Sequence, residues 1–289
     1  MRINPSTFQL LRFHFSFFLM PVYWFAMSQL LHPDPRRAIL IFFILHLLLY
    51  PSSNGYNSYM DRDEGSIGGL KTPLAPTRQL FYVTLFMDLL ALLLSLFISI
   101  YFCTGALLYI LASRAYSARQ IRLKKYPVPG YLTVIIFQGA LIFFMVYHGA
   151  DPGMTLQVPV LGMIAASLLI GGFYPLTQIY QHAEDARDGV RTLSAVLGYR
   201  GTFIFSGIVY TIAFAMLSFF FLSSLEIKEL WVFATCMIPV VVYFMYWAVK
   251  VWRDPAEASF GHTMRMNLIA SLCTSLGFIV VFLMHYNLR

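Results

Sequence analysis

Six of the 13 acidic residues of this 289-residue chain crowd into two short stretches. Residues 54–73 read NGYNSYMDRDEGSIGGLKTP and contain Asp61, Asp63 and Glu64. Residues 178–194 read QIYQHAEDARDGVRTLS and contain Glu184, Asp185 and Asp188. Within the first, Asn54, Asn57, Asp61 and Glu64 follow i, i+3, i+7, i+10 spacing, which predicts a single face if a helix continues that far. Gln178, Gln181, Asp185 and Asp188 repeat it. Carboxylates and amides without thiolates or clustered histidines suit a hard cation such as Mg²⁺. That ion takes one or two carboxylates, keeps waters, and completes its shell with phosphate oxygens. Each stretch runs into a glycine-containing basic loop, with Lys71 in one and Arg191 in the other, suited to clamping a phosphate. Either stretch alone reads equally well as a solvated loop beyond a helix end. Two with matching spacing favour a shared metal–phosphate site.

The elements that carry these residues are apolar. The chain is 59% hydrophobic and 11% charged, against about 25% charged residues in soluble domains. The apolar residues come in blocks long enough to cross hydrocarbon as helices. The expected fold class is all-α and integral to the membrane, one domain over residues 1–289 with nine spans. They are Thr7–Leu31, Ala38–Asn57, Leu80–Ile100, Cys103–Ala118, Tyr131–His148, Val158–Tyr180, Phe203–Leu225, Leu230–Lys250 and Met266–His285. The third and fourth form a nearly continuous run, divided around Cys103–Gly105. The first carries Arg12 and His14 and has no small-residue cleavage site, so it reads as a span rather than a signal peptide. With the N-terminus in the cytoplasm, only Arg36, Arg37, Lys228 and Arg289 of the 20 Lys and Arg face the other side, the asymmetry of the positive-inside rule. Both acidic stretches then close even-numbered spans on the cytoplasmic side.

The net charge of +7 fits anionic headgroups or an anionic substrate. Its spread over membrane loops argues against nucleic acid. Cys103, Cys236 and Cys273 lack metal-ligand spacing and read as packing residues. Asp88 sits inside an apolar block, where an acid is either a structural polar contact or a contact to substrate. His14 could meet an acceptor or act as a base.

A third segment, residues 115–125, reads AYSARQIRLKK and closes the fourth block on the same side. Taken together, the three segments resemble the UbiA superfamily of intramembrane prenyltransferases. NSYMDRDEG matches its first aspartate-rich motif through Asn57 and Asp61. QHAEDARDGVRTL matches the second through Asp185, Gly189, Thr192 and Leu193. YSARQIRLKK matches the turn between them through Tyr116, Ser117, Arg122, Leu123 and Lys124. The resemblance spans nearly the whole chain, and nine helices is also the family's number. Two positions depart from it: Gly65 stands where the first motif has a second acid, and Gln181 where the second motif has its leading acid.

The resemblance implies an isoprenyl diphosphate with its tail between the helices and its headgroup at the cytoplasmic mouth. Asp61, Asp185 and Asn57 are the implied catalytic residues. Asp61, Asp185, Glu64 and Asp188 are the implied Mg²⁺ ligands, with Asp63 and Glu184 as possible substitutes for the missing acids. Lys71, Tyr116, Arg122, Lys124, Gln181 and Arg191 are the implied diphosphate-binding set. The product is prenyl transfer to a lipophilic acceptor; the alternative is a terpene cyclase of the same type, which closes the chain on itself. Membrane lipids are the surroundings, and a bacterial cytoplasmic membrane, with the site facing the cytoplasm, is the expected location.

Overall fold

The computed structural model describes residues 4–62 and 64–287, so Asp63 lies outside the described residues. Among these, every regular element is a helix, apart from a single bridge between Ile67 and Leu70. Eight helices are long and apolar enough to span a membrane: α1 (Pro5–Ser28), α2 (Pro35–Asp61), α3 (Arg78–Ser95), α5 (Pro127–Ala150), α6 (Val160–Arg187), α7 (Leu193–Ser223), α8 (Ile227–Arg253) and α9 (Phe260–Tyr286). The expected fourth span is present as an 18-residue helix, α4 (Ile100–Ser117), but it falls outside those eight. Eight of the nine expected spans are thus apolar enough to cross a membrane, and the ninth is this more polar helix. Its C-terminal half spends Ser113, Arg114 and Ser117 on contacts with neighbouring helices. The break between α3 and α4 falls at residues 96–99, earlier than expected, where the Ser99 side chain caps α4 by accepting from the Phe102 amide.

Several helices are irregular near the future site. α1 breaks at Arg12, whose backbone is left-handed (φ 48°), and continues through a 3₁₀ turn over Phe13–Leu19. α2 starts on an Asp34 cap, whose carboxylate accepts from the Arg36 and Arg37 amides. Those amide hydrogen bonds, Arg37's first, hold the Asp34 carboxyl below its usual range. α2 widens to a π-helix over Ile44–Leu49, just before Pro51. α5 has a second π segment at Ile136–Ala140. α6 tightens to a 3₁₀ turn at Ile179–Gln181, four residues after Pro175 removes a ladder hydrogen bond.

The core is aromatic. Phe25, Phe143, Phe221, Phe233 and Phe278 are almost completely buried, and Phe25 and Phe233 each stack on Phe278 with ring centroids 4.5 Å apart. Such pairs add about 0.5–1.5 kcal/mol beyond the area they bury. A smaller cluster of Phe203, Trp247, Val251 and Met266 joins α7, α8 and α9. Large apolar side chains such as Phe97, Leu225 and Trp231 face outward, as a surface solvated by lipid permits. Asp88 is paired with Arg114, accepts from Ser52 Oγ at 2.5 Å, and so ties α3, α4 and α2 together. Its reading as a structural polar contact is the one this arrangement supports.

Candidate active site

One end of the bundle encloses a pocket of about 190 Å³. Its wall is assembled from residues far apart in the chain: Arg12 from α1, Asn54, Asn57 and Asp61 from α2, Tyr116 and Ser117 from α4, and Tyr174, Gln178, Gln181 and Asp185 from α6. Lys124 joins them from the turn after α4. Six of the expected site residues thus share one wall: Asn57, Asp61, Tyr116, Lys124, Gln181 and Asp185.

Asp61 is the last residue of α2 and is 6% exposed. It can point inward because Arg62 adopts a left-handed backbone (φ 57°) and stops the helix there. Its Oδ2 accepts from Lys124 Nζ. Its Oδ1 lies 3.6 Å from Arg122 Nη2 and makes no hydrogen bond. Both cations are set by the turn after α4: Arg122 is itself left-handed (φ 48°), and a 3₁₀ turn over Leu123–Lys125 follows. Arg122 also holds Asp188 at 2.6 Å, so one guanidinium bridges the two acidic stretches. The buried pair is Asp61 with Lys124, and removing either partner of it leaves an uncompensated charge, at a cost of about 3–5 kcal/mol.

Asn57 accepts from Ser117 Oγ at 2.9 Å, fixing α2 against α4. The hydroxyls of Tyr116 and Tyr174 meet, and Gln178 donates to Tyr174 at 2.8 Å. On the inner wall, Ser53 and Ser113 hydroxyls lie 2.7 Å apart, and Tyr109 interacts with Ser53 and Gln138.

Four expected site residues lie away from the wall. Glu64, Lys71, Asp188 and Arg191 are exposed, and Arg122 reaches the site only through Asp61 and Asp188. The face expected to run from Asn54 to Glu64 ends at Asp61, because the helix does. Gln178, Gln181 and Asp185 of the second stretch keep to one wall across the 3₁₀ turn, but the helix ends at Arg187 and leaves Asp188 as its exposed C-terminal cap. Conversely, Arg12, Ser53, Tyr109 and Gln138 line the pocket without having been singled out for it. The available signal was their polarity inside apolar blocks.

No group of three or more His, Cys, Asp or Glu side chains gathers to hold a metal among the described residues. The donor set is two carboxylates with neighbouring amides, all hard oxygen ligands. The buried Asp61 Oδ1, short of a hydrogen bond, is the acceptor a cation would satisfy. Such a set fits an ion that takes most of its shell from water and phosphate.

Residues 17–269 match the model of the UbiA prenyltransferase family. Among solved structures, a UbiA homolog from Archaeoglobus fulgidus bound to DMAPP and Mg²⁺ is similar in fold, with a TM-score of 0.71 at 20% identity over 96% of this chain and 99% of that one. An apo UbiA homolog from Aeropyrum pernix K1 gives 0.66 at 20% identity over 92% and 97%. A structure of digeranylgeranylglyceryl phosphate synthase gives 0.61 at 18% identity over 96% and 97%. At these identities the likeness speaks for the fold. No curated protein matches the chain in sequence.

Proposed function

The chain belongs to the UbiA prenyltransferase family, and from that premise we propose that it ionises an isoprenyl diphosphate with Mg²⁺ and transfers the prenyl group to a lipophilic acceptor. The observation that carries this reading is the pocket wall shared by Asp61, Asp185 and Lys124. Asp61 and Asp185 would hold Mg²⁺, helped by Asn57, and the bound ion would withdraw charge from the leaving diphosphate. The Archaeoglobus homolog's complex with DMAPP and Mg²⁺ supports the same pairing of ligand and metal.

The remaining work falls to side chains of this chain. Lys124 lies against Asp61 and is placed to exchange that carboxylate for a phosphate oxygen as charge builds on it. Arg122 steadies both acidic stretches and adds positive potential at the mouth. Tyr116 and Tyr174 present hydroxyls to the leaving group, and Phe15 and Phe137 line the pocket, where ring faces can stabilise an allylic cation. The bundle interior keeps water from that cation. The inner hydroxyls and amide of Ser53, Ser113, Tyr109 and Gln138 favour transfer over cyclisation: they suit a hydrogen-bonding acceptor and would quench a cation that had to fold on itself.

Lys125 and the other basic loop residues favour a cytoplasmic mouth, in a bacterial cytoplasmic membrane, with residues 1–289 acting as one unit. Purified protein given farnesyl diphosphate and Mg²⁺ should release diphosphate when an aromatic or lipid acceptor is added. Asp61→Asn and Asp185→Asn should lower that release by about 10²–10³-fold. Unchanged release in both would overturn the assignment, and terpene product without any acceptor would reassign the protein as a cyclase.

A further inference from the structure

The loop after α2 is held almost entirely by its backbone. Gly65 N–H donates to Glu184 Oε1 at 2.8 Å. The Ser66 carbonyl accepts from Gln181 Nε2 at 3.1 Å. The Gly68 carbonyl accepts from Arg12 Nη1 at 3.1 Å, and the Gly69 carbonyl pairs with His14 Nε2 at 3.0 Å. Ile67 and Leu70 pair with each other through both backbone groups. Four side chains from α1 and α6 therefore grip four of five consecutive residues, closing one side of the pocket with Ile67 and Gly68.

The two positions that depart from the acidic pattern, Gly65 and Gln181, both sit in this grip. A Cβ at Gly65 would lie 2.4 Å from Glu184 Oε2, so any other residue there must displace the carboxylate from its place against the backbone. An acid at 181 would turn a lone pair, rather than an N–H, toward the Ser66 carbonyl. The pair is matched: at each position an acid would oppose the clasp.

We propose that Glu184 and Gln181 are positioning residues that clasp the 65–69 backbone over the pocket, and that the cation rests on Asp61 and Asp185 without help from Glu184. This deepens the diphosphate-site reading and rests on it for its catalytic consequence, although the clasp itself can be measured without turnover.

Glutamine at 184 keeps an acceptor oxygen for the Gly65 amide but loses the charge a metal ligand needs. Hydrogen exchange of the peptide spanning residues 64–70, in detergent-purified full-length protein, should be within about twofold of wild type in Glu184→Gln. In Glu184→Ala it should be about tenfold faster, the loss of roughly one hydrogen bond. The half-saturating Mg²⁺ concentration should stay within about twofold in Glu184→Gln. A metal ligand would shift it tenfold or more, the scale on which even outer partners of a metal matter. Gly65→Asp, which restores the pattern's acid, should speed exchange and raise KM for the diphosphate. Adding Glu184→Ala to it should cost less than the two single effects combined.

Exchange unaffected by Glu184→Ala, or a tenfold higher Mg²⁺ requirement in Glu184→Gln, would overturn the proposal. Should Glu184→Ala fail to fold, Gln181→Leu reads the same loop through Ser66, and unchanged exchange there would overturn it equally. Wild-type protein that releases no diphosphate would refute the functional reading, leaving the clasp to be judged by exchange alone.

Discussion

Asp61 concentrates the chemistry of the site in one side chain. It is buried at a helix end, faces two cations, and keeps one oxygen without a hydrogen bond. Lys124 is the partner with a direct contact, so its ammonium is the group best placed to follow charge onto the diphosphate. Lys124→Ala should lower kcat by about 10²-fold while KM changes only severalfold, since an interaction that strengthens in the transition state acts on kcat. Steady-state diphosphate release measures both; a purely KM effect would mean that Lys124 binds the ground state alone. Arg12 poses a different test, because its two terminal nitrogens reach the carbonyls of Gly68 and Asn54 at 3.1 Å each. Arg12→Lys supplies charge but not the fork, so exchange of the 64–70 peptide should rise despite the conserved charge.

Between elements, close approach and buried charge decide the packing. At Gly139, in the π segment of α5, a Cβ would lie 2.5 Å from Ser167 Cα on α6. Small residues at such crossings let membrane helices approach. Gly139→Ala must push the two helices apart, at a cost of about 1–3 kcal/mol, seen as a lower thermal midpoint in detergent. α6 carries Tyr174, Gln178 and Asp185, so activity should fall with it. The Asp88–Arg114 pair gives the complementary case. Asp88→Leu strands a buried guanidinium and should cost about 3–5 kcal/mol; Asp88→Leu with Arg114→Met should recover most of that loss. No recovery would mean that the pair supports the fold through Ser52 and Tyr56, over whose ring Arg114 lies at 3.9 Å, rather than through its charges.

For the whole molecule, the distribution of basic residues sets the orientation in the membrane. Lys125 is exposed beside the pocket turn, and Lys228 lies in the first turn of α8. With Cys103, Cys236 and Cys273 replaced, a membrane-impermeant maleimide should label Lys125→Cys only when the inner face is open, and Lys228→Cys on intact cells. The reverse pattern would put the mouth outside and exclude a cytoplasmic diphosphate as substrate.

The amino-acid sequence alone determined the helical segments and the stretches that meet at the pocket. A chain in lipid must satisfy its backbone locally, so each apolar block announces its own helix. It also placed Asp61, Asp185, Asn57, Tyr116 and Lys124 in segments that close helices at one end of the bundle. Only the tertiary structure decided which neighbours reach the pocket. The left-handed Arg62 ends α2 at Asp61, with Glu64 and Lys71 exposed beyond it, and the end of α6 at Arg187 leaves Asp188 outside the helix that carries Asp185. Glu184 and Gln181 meet a loop more than a hundred residues earlier in the chain, a contact that no local spacing encodes. Helix ends and long-range contacts follow from how the segments pack, and that depends on the whole chain at once.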